Sequence, residues 1–139
     1  MSEILGGTVG FTRLENTEFT LLESGARSSS TTTEKQENKY YTGVYICLNV
    51  SAAPGGDTVA IYVRAYDQIS GSVFNLLQGS NISTTGLNTY LIHPGAGLDE
   101  NGSSLKKVVP WPLNRNWDIQ VYHSGSGSFT YSLSGCYLP

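Results

Sequence analysis

The fold class of this chain is decided by one stretch, GVYICLNVS at residues 43–51. Valine, isoleucine and leucine occupy every second position, and other residue types fill the positions between them. Side chains of a β-strand point alternately to opposite faces, so this pattern predicts a strand with one face in a core. The turn sequence PGGD at residues 54–57 follows, and a second alternating run covers residues 59–66. These features predict an antiparallel hairpin.

Similar patterns extend outward from this pair. Strand patterns occur at residues 19–22, 44–50, 59–66, 73–77, 87–93, 117–123 and 129–134, with a threonine-rich extended piece at 31–33. The run at 117–123 leads through a Ser-Gly turn into 129–134, which predicts a second hairpin. A charged cluster at 34–39 is expected in a solvent loop. Residues 95–116 are expected to form an ordered loop or a very short edge strand, and no helical period of useful length appears.

Together these patterns predict one all-β domain at residues 19–139, an antiparallel β-sandwich of about seven or eight strands. A jelly roll and an immunoglobulin-like sandwich both fit, because the patterns do not give strand order. Residues 1–18 have no clear period. We interpret them as an extended N-terminal arm that becomes ordered against a partner, with a frayed terminus as the alternative.

Composition excludes several classes of function. The 139 residues carry a net charge of −3, so no basic face is expected for nucleic acid. No stretch approaches the ~20 apolar residues of a membrane span. Residues 1–7 lack the charged and apolar regions of a signal peptide, which predicts synthesis in the cytoplasm.

Charged residues make up only 14% of the chain, against ~25% in an average soluble domain. Lysine and glutamate are depleted where proteins meet, so this composition is typical of a surface that forms interfaces. It is equally typical of a β-sandwich rich in serine and threonine. Both interpretations remain open at this point.

No catalytic signature is present. His93 and His123 each end a strand pattern, and we expect both at the surface. Asp57, Asp67 and Asp118 could supply the carboxylate pair of a glycosidase, but two of them lie in turns, where aspartate is common. We therefore predict a protein that is not an enzyme.

The cysteines and the acidic loop give no sign of a metal site. Cys47 and Cys136 lie in strand patterns without ligand-like neighbours, so free thiols are expected, with a disulfide as the alternative. The sequence DENG at residues 99–102 resembles a turn more than a calcium loop. No cofactor is predicted.

The aromatic residues offer one candidate binding surface. Tyr62 and Tyr66 share one face of a strand with Arg64, and Trp111 lies in a loop pattern. The candidates for a sugar-binding platform are Tyr40, Tyr41, Tyr62, Tyr66, Trp111 and Tyr122. The structural alternatives for the face of Tyr62 and Tyr66 are a cross-strand aromatic ladder and the second side of a two-sided core.

Several motifs in order resemble a known family. They are Arg27 before a Ser/Thr run, YTGVYICLNV at 41–50, DQISG at 67–71, IHPG at 92–95, LNRNWDIQV at 113–121 and TYSL at 130–133. Over about residues 20–135 the chain resembles small β-sandwich structural proteins encoded among the head genes of tailed phages. Family-like chains often read Leu-Pro-Arg-x-Trp where this one reads PLNRNW at residues 112–117.

The resemblance implies a virion protein, in particular a capsid decoration or cement protein on the capsid exterior. Its expected partner is the major capsid protein, and the chain is expected to form a homo-oligomer, preferably a trimer. Interface residues expected on this view are Phe11, Leu14, Arg27, Tyr62, Tyr66, Trp111 and Arg115. The two arginines match the family pattern, either as partner contacts or as side chains that hold a turn through carbonyl groups. The alternatives are a carbohydrate-binding module and a tail or neck component.

Overall fold

The computed structural model describes residues 17–96 and 105–139. Phe11, Leu14 and nearly all of the expected arm at 1–18 lie outside these described residues, so the arm stays a prediction. Ten strands form in the described part of the chain: β1 Glu18–Arg27, β2 Thr31–Thr32, β3 Gln36–Glu37, β4 Gly43–Ala52, β5 Val59–Tyr66, β6 Val73–Gln78, β7 Gly86–Ile92, β8 Leu105–Val109, β9 Asn116–His123 and β10 Phe129–Leu138. No helix in these residues is long and apolar enough to cross a membrane.

The strands build two stacked sheets, which confirms the predicted β-sandwich. The first sheet has the order β1-β10-β4-β7-β8, and the second has the order β2-β9-β5-β6 with β3 also paired to β9. The count exceeds the expected seven or eight because β2 and β3 are two-residue pieces. Pairing is antiparallel except between β7 and β8, which run parallel. The orders β1-β10-β4-β7 and β2-β9-β5-β6 are those of a jelly roll, in which the chain passes repeatedly from one sheet to the other.

Both predicted hairpins are wrong. β4 pairs with β10 and β7 in the first sheet, whereas β5 pairs with β9 and β6 in the second. Likewise β9 and β10 lie in different sheets. The turn at 54–57 does form, with Gly55 and Gly56 at positive φ, but it carries the chain across the core. Alternation identifies which face of a strand is buried, and two strands that face each other across a core alternate just as neighbours do.

The two crossing loops, 53–58 and 124–128, are bonded to each other. The Gly127 amide donates to the Asp57 carboxylate at 2.7 Å, and the Thr58 amide donates to the Ser124 hydroxyl at 2.9 Å. The Ser124 amide in turn donates to the Thr58 carbonyl at 3.0 Å. The backbone amides of Thr58, Ser124 and Gly127 thus have hydrogen-bond partners although their loops belong to no hairpin.

Two shorter segments also differ from expectation. The charged cluster at 34–39 contains strand β3 and the buried Asn38, so it is not simply a solvent loop. The first strand pattern, expected at 19–22, extends as β1 to Arg27, with shifts in register between Thr20 and Leu22 and between Leu22 and Gly25. The short edge strand that was one option within 95–116 is β8.

The core lies between the two sheets and follows the predicted alternation. Its fully buried side chains include Val44, Ile46, Leu48, Val59, Ile61, Val63, Trp117, Ile119, Val121, Phe129, Tyr131 and Leu133. At one end an aromatic cluster of Phe19, Tyr41, Trp117 and Tyr137 closes the core. Phe19 occupies the space beside Gly135, where a Cβ atom would stand 2.7 Å from the ring. Glycine is therefore required there for the ring to pack.

Candidate functional site

The expected interface residues within the described part of the chain lie in three separate places. Arg27 ends β1 at one end of the sandwich. Tyr62 and Tyr66 lie on the outer face of the second sheet. Trp111 and Arg115 lie in the loop before β9, at the opposite end from Arg27. The structure thus does not gather them into one site, and their role as contacts stays a prediction.

Arg27 is engaged with its own fold. Its guanidinium donates to the carbonyl groups of Tyr131 at 2.8 Å, Glu23 at 2.7 Å and Gly25 at 3.1 Å. It also lies 4.7 Å from the centre of the Tyr131 ring. Arg27 was expected either to contact a partner or to hold a turn through carbonyl groups. These hydrogen bonds to backbone carbonyls match the second role.

Large exposed apolar side chains concentrate at one end of the sandwich. This apolar end, where β4 and β9 begin and β5 and β7 end, carries Tyr40, Ile69, Val73, Phe74 and Trp111. The side chains of Ile69, Tyr40 and Trp111 are 96%, 75% and 61% exposed. Exposed apolar groups gathered in one region mark interaction surfaces, whereas scattered single ones do not.

A buried asparagine holds the two loops that carry Tyr40 and Trp111. The Asn38 side-chain amide donates to the carbonyls of Tyr41 at 2.7 Å and Leu113 at 3.3 Å, and its oxygen accepts from the Tyr41 amide. The Asn38 backbone amide donates to the Arg115 carbonyl at 2.6 Å. Leu113 is buried beneath them. Both aromatic side chains are therefore presented on a fixed backbone, and a rigid surface loses little entropy on binding.

Charged side chains border this end. Arg115 lies 3.3 Å from Glu37, and Lys39 lies 3.8 Å from the same carboxylate. All three side chains are at least half exposed, so these ion pairs contribute little to stability. An apolar centre with a charged rim is the usual anatomy of a protein interface.

The outer face of the second sheet carries a different surface, the tyrosine–arginine face, formed by Tyr62, Arg64, Tyr66, Asp118 and Tyr122. Arg64 donates two hydrogen bonds to Asp118, at 2.8 and 2.9 Å, and the Tyr66 hydroxyl donates to the same carboxylate at 2.5 Å. Tyr62 and Tyr122 stack with ring centres 6.3 Å apart and planes 14° apart. The aromatic ladder that was one structural alternative for this face is thus present between β5 and β9.

Asp118 is 3% exposed, yet its charge is matched by Arg64 and its oxygens are hydrogen-bonded. The hydrogen bond to Asp118 raises the pKa of Tyr66, and burial raises it further. The same carboxylate raises the pKa of Arg64. The Lys35 ammonium lies 4.3 Å from the centre of the Tyr66 ring. Both oxygens of Asp118 accept hydrogen bonds within the cluster, which links β5 to β9 through side chains as well as through the backbone.

The other carboxylates raised as catalytic candidates also have structural roles. Asp57 joins the two crossing loops. Asp67 accepts hydrogen bonds from the Ser70 hydroxyl at 2.6 Å and the Ser70 amide at 3.1 Å, which lower its pKa. Within residues 17–96 and 105–139 no three His, Cys, Asp or Glu side chains are grouped so as to hold a metal ion.

Cys47 and Cys136 are free thiols on the outer face of the first sheet, where they line a shallow groove with Tyr45 and Ser134. Burial raises the pKa of the Cys47 thiol, and the neighbouring Cys136 raises it further. A raised pKa keeps the thiol protonated at neutral pH, so Cys47 is not an activated nucleophile.

His123 is buried rather than at the surface, which corrects the expectation for this residue. Its Nε2 lies 2.9 Å from the Tyr131 hydroxyl, and the Phe129 ring packs edge-on against it. His93 lies near the chain's last residue, with Nε2 2.9 Å from the Pro139 carbonyl oxygen and Nδ1 accepting from the Gly95 amide. The histidines sit at opposite ends of the sandwich and share no site.

The burial of His123 predicts an acid-sensitive stability. Burial lowers the pKa of His123 below its ordinary 6.5, and the Arg27 charge lowers it further. The unfolded chain therefore takes up this proton at higher pH than the folded chain. The contribution of His123 to stability is complete above about pH 6.5 and is lost as pH falls through the folded-state pKa. Urea unfolding at about pH 7.5 and about pH 5.5 should show a lower midpoint in acid, and His123→Gln should reduce that difference. An equally large acid shift in the variant would contradict this assignment.

No protein-family model matches the chain, and no curated protein matches it. Among solved structures, it is similar to a chain in the structure of infectious bursal disease virus, Gx strain. The two share 13% sequence identity with a TM-score of 0.50, over 85% of this chain and 31% of the viral one. The chain thus spans about a third of the length of its viral counterpart. At this identity the likeness shows the fold alone.

Sequence reasoning missed Ile69 and Phe74 as surface features, and it named Tyr40 only as a candidate for a sugar-binding platform. Ile69 carried a readable signal, since an isoleucine in the turn sequence DQISG has no strand face to occupy. Phe74 carried none, because exposure at a strand end depends on how the two sheets are stacked.

Proposed function

We propose that this chain is a structural protein of a virus particle. The observation that carries the proposal is a jelly roll with a concentrated apolar surface at one end. Jelly rolls recur in viral capsids and in lectins, and a chain in a solved virus structure is similar in fold. A fold does not by itself give a function. The apolar end therefore supplies the more specific support.

The finer form of the proposal is a capsid decoration or cement protein on the exterior of a tailed-phage head, bound to the major capsid protein. It rests on the sequence resemblance. On this view Tyr40 and Trp111 act as aromatic anchors, since such residues dominate binding energy when they enter pockets on a partner. Reinforcement of a shell sums many modest contacts over symmetric copies, and a small rigid body is sufficient for that role.

The buried polar groups of the described residues support a building role rather than catalysis. Asp118, Asn38 and His123 each make hydrogen bonds within the fold. A catalytic base needs a reachable proton and an open approach. These three side chains instead hold strands and loops together.

The proposal predicts selective loss of particle binding. Particles made without this chain should recapture the purified wild-type protein. Trp111→Ala should weaken capture by about 2 kcal/mol, because the variant removes an anchor from the apolar end. Tyr122→Ala is the matched control, since Tyr122 is an exposed aromatic residue away from that end. Co-sedimentation with particles measures both. No capture of the wild-type protein, or equal capture of the two variants, would contradict the proposal.

A carbohydrate-binding role is the second candidate, favoured by the stacked Tyr62 and Tyr122 rings on the outer face. Jelly rolls also serve as lectins. On a glycan array this role predicts binding that is lost in Tyr122→Ala and kept in Trp111→Ala. The same two variants therefore give opposite results under the two proposals.

A further inference from the structure

The edges of the two sheets differ in how they are protected. A free sheet edge exposes unpaired N–H and C=O groups, and proteins usually guard it with charges, bulges or very short strands. β8 carries the exposed Lys106 and Lys107, and β1 carries charged residues and two register shifts. β2 and β3 have two residues each. Three of the four edges of the described sandwich are thus guarded.

The fourth edge, β6, is less protected. Within the described residues it pairs with β5 alone, and its sequence VFNLLQ contains no charged residue and no proline. Its one bulge, at Leu76, leaves residues 73–75 in regular pairing with β5. Val73 and Phe74 are exposed in this regular part. β6 therefore presents both unpaired backbone and apolar side chains to a neighbour.

The turn before β6 presents Ile69 in a fixed position. The Asp67 amide donates to the Ser72 carbonyl at 2.8 Å, and the Gly71 amide donates to the Asp67 carbonyl at 2.9 Å. The Asp67 carboxylate holds Ser70 from inside the turn, and Gly71 has a φ of 76°. An almost fully exposed isoleucine on such a turn is organised for contact before any partner arrives.

Charge indicates which partner fits. The chain has a net charge of −3, but no Asp, Glu, Lys or Arg occurs from Gln68 to Leu98. Two copies can therefore approach along β6 without bringing like charges together. We propose that β6 is a self-association edge, at which the β6 strands of two copies pair antiparallel across a two-fold axis and bury Ile69, Val73 and Phe74.

This pairing goes beyond the proposed virion role and does not depend on it, since the isolated chain should dimerise. A two-fold interface uses the same patch on both copies, so β6 against β6 satisfies its geometry. The pairing turns two exposed edges into interior strands of one continuous sheet. It predicts a dimer, whereas the sequence resemblance favoured a trimer.

Sedimentation equilibrium of the purified full chain tests the proposal. We expect a dimer of the 15.0 kDa chain. Phe74→Lys and Ile69→Asp should weaken dimerisation about 100-fold or more, because each buries an unpaired charge at the interface. Leu87→Lys is the control, since Leu87 is 62% exposed but lies on an interior strand. Circular dichroism checks that each variant is folded.

A dimer in the wild type and the control, with folded monomers in Phe74→Lys and Ile69→Asp, would support the pairing. A wild-type monomer, a trimer, or a dimer that persists in both β6 variants would overturn it. Particle capture through Trp111 is measured separately, by co-sedimentation. Failure of this proposal and failure of the virion proposal are therefore distinguishable.

Discussion

Trp117→Ala should cost about 3–5 kcal/mol of unfolding free energy, the largest effect that we expect from a single substitution in this chain. Trp117 is 0% exposed and lies on the inner face of β9. Its ring meets Phe19 and Tyr137 edge-on, each with centres 6.2 Å apart. Truncation removes those contacts and leaves a cavity where the two sheets close at the apolar end.

The chain contains a matched control for this substitution. Its other tryptophan, Trp111, is 61% exposed, so Trp111→Ala should change the unfolding free energy by less than about 0.5 kcal/mol. Urea denaturation followed by circular dichroism measures both variants. Tryptophan fluorescence is unsuitable because each variant removes one of the two tryptophans. Equal costs for the two tryptophans would contradict the placement of Trp117 in the core.

Asp118→Ala should cost about 2–3 kcal/mol, the second largest effect expected. The variant leaves the Arg64 guanidinium and the Tyr66 hydroxyl without their shared acceptor. Removing one partner of a fully buried ion pair costs more, but the Arg64 side chain is 23% exposed, so water can replace part of the lost interaction.

Glu37→Ala is the corresponding control. Its ion pair with Arg115 joins side chains that are 50% and 59% exposed, so its loss should cost less than about 1 kcal/mol. The two variants are compared by thermal and urea unfolding at neutral pH. A cost for Glu37→Ala as large as that for Asp118→Ala would show that the Arg64–Asp118–Tyr66 network is not a special feature of the fold.

The sequence predicted which face of each main strand is buried, but it did not predict which strands pair with each other. The alternation of Val44, Ile46 and Leu48 correctly predicted which side of β4 enters the core. The same alternation in β5 led us to predict a hairpin that the structure does not contain. Two strands that face each other across a core have the same alternation of apolar residues as two strands paired in one sheet. Only the loops differ, and the PGGD turn is compatible with either arrangement.

The candidate surfaces depended on contacts between distant parts of the chain. Arg64 and Asp118 are 54 positions apart, and no local pattern joins them. Asn38 and Leu113 are 75 positions apart, yet their hydrogen bond fixes the loops that carry Tyr40 and Trp111. Shared faces, such as that of Tyr62 and Tyr66, follow from period two along a single strand. Surfaces built from loops of both sheets follow only from the topology.

A structural role in a virus particle is tested most directly by cryo-electron microscopy of particles whose genome encodes this chain. We expect ordered jelly-roll density on the capsid exterior at near-stoichiometric occupancy, with Tyr40 and Trp111 facing the major capsid protein. Heads that lack this density would contradict the decoration role, and particles that lack the chain altogether would contradict the structural role itself.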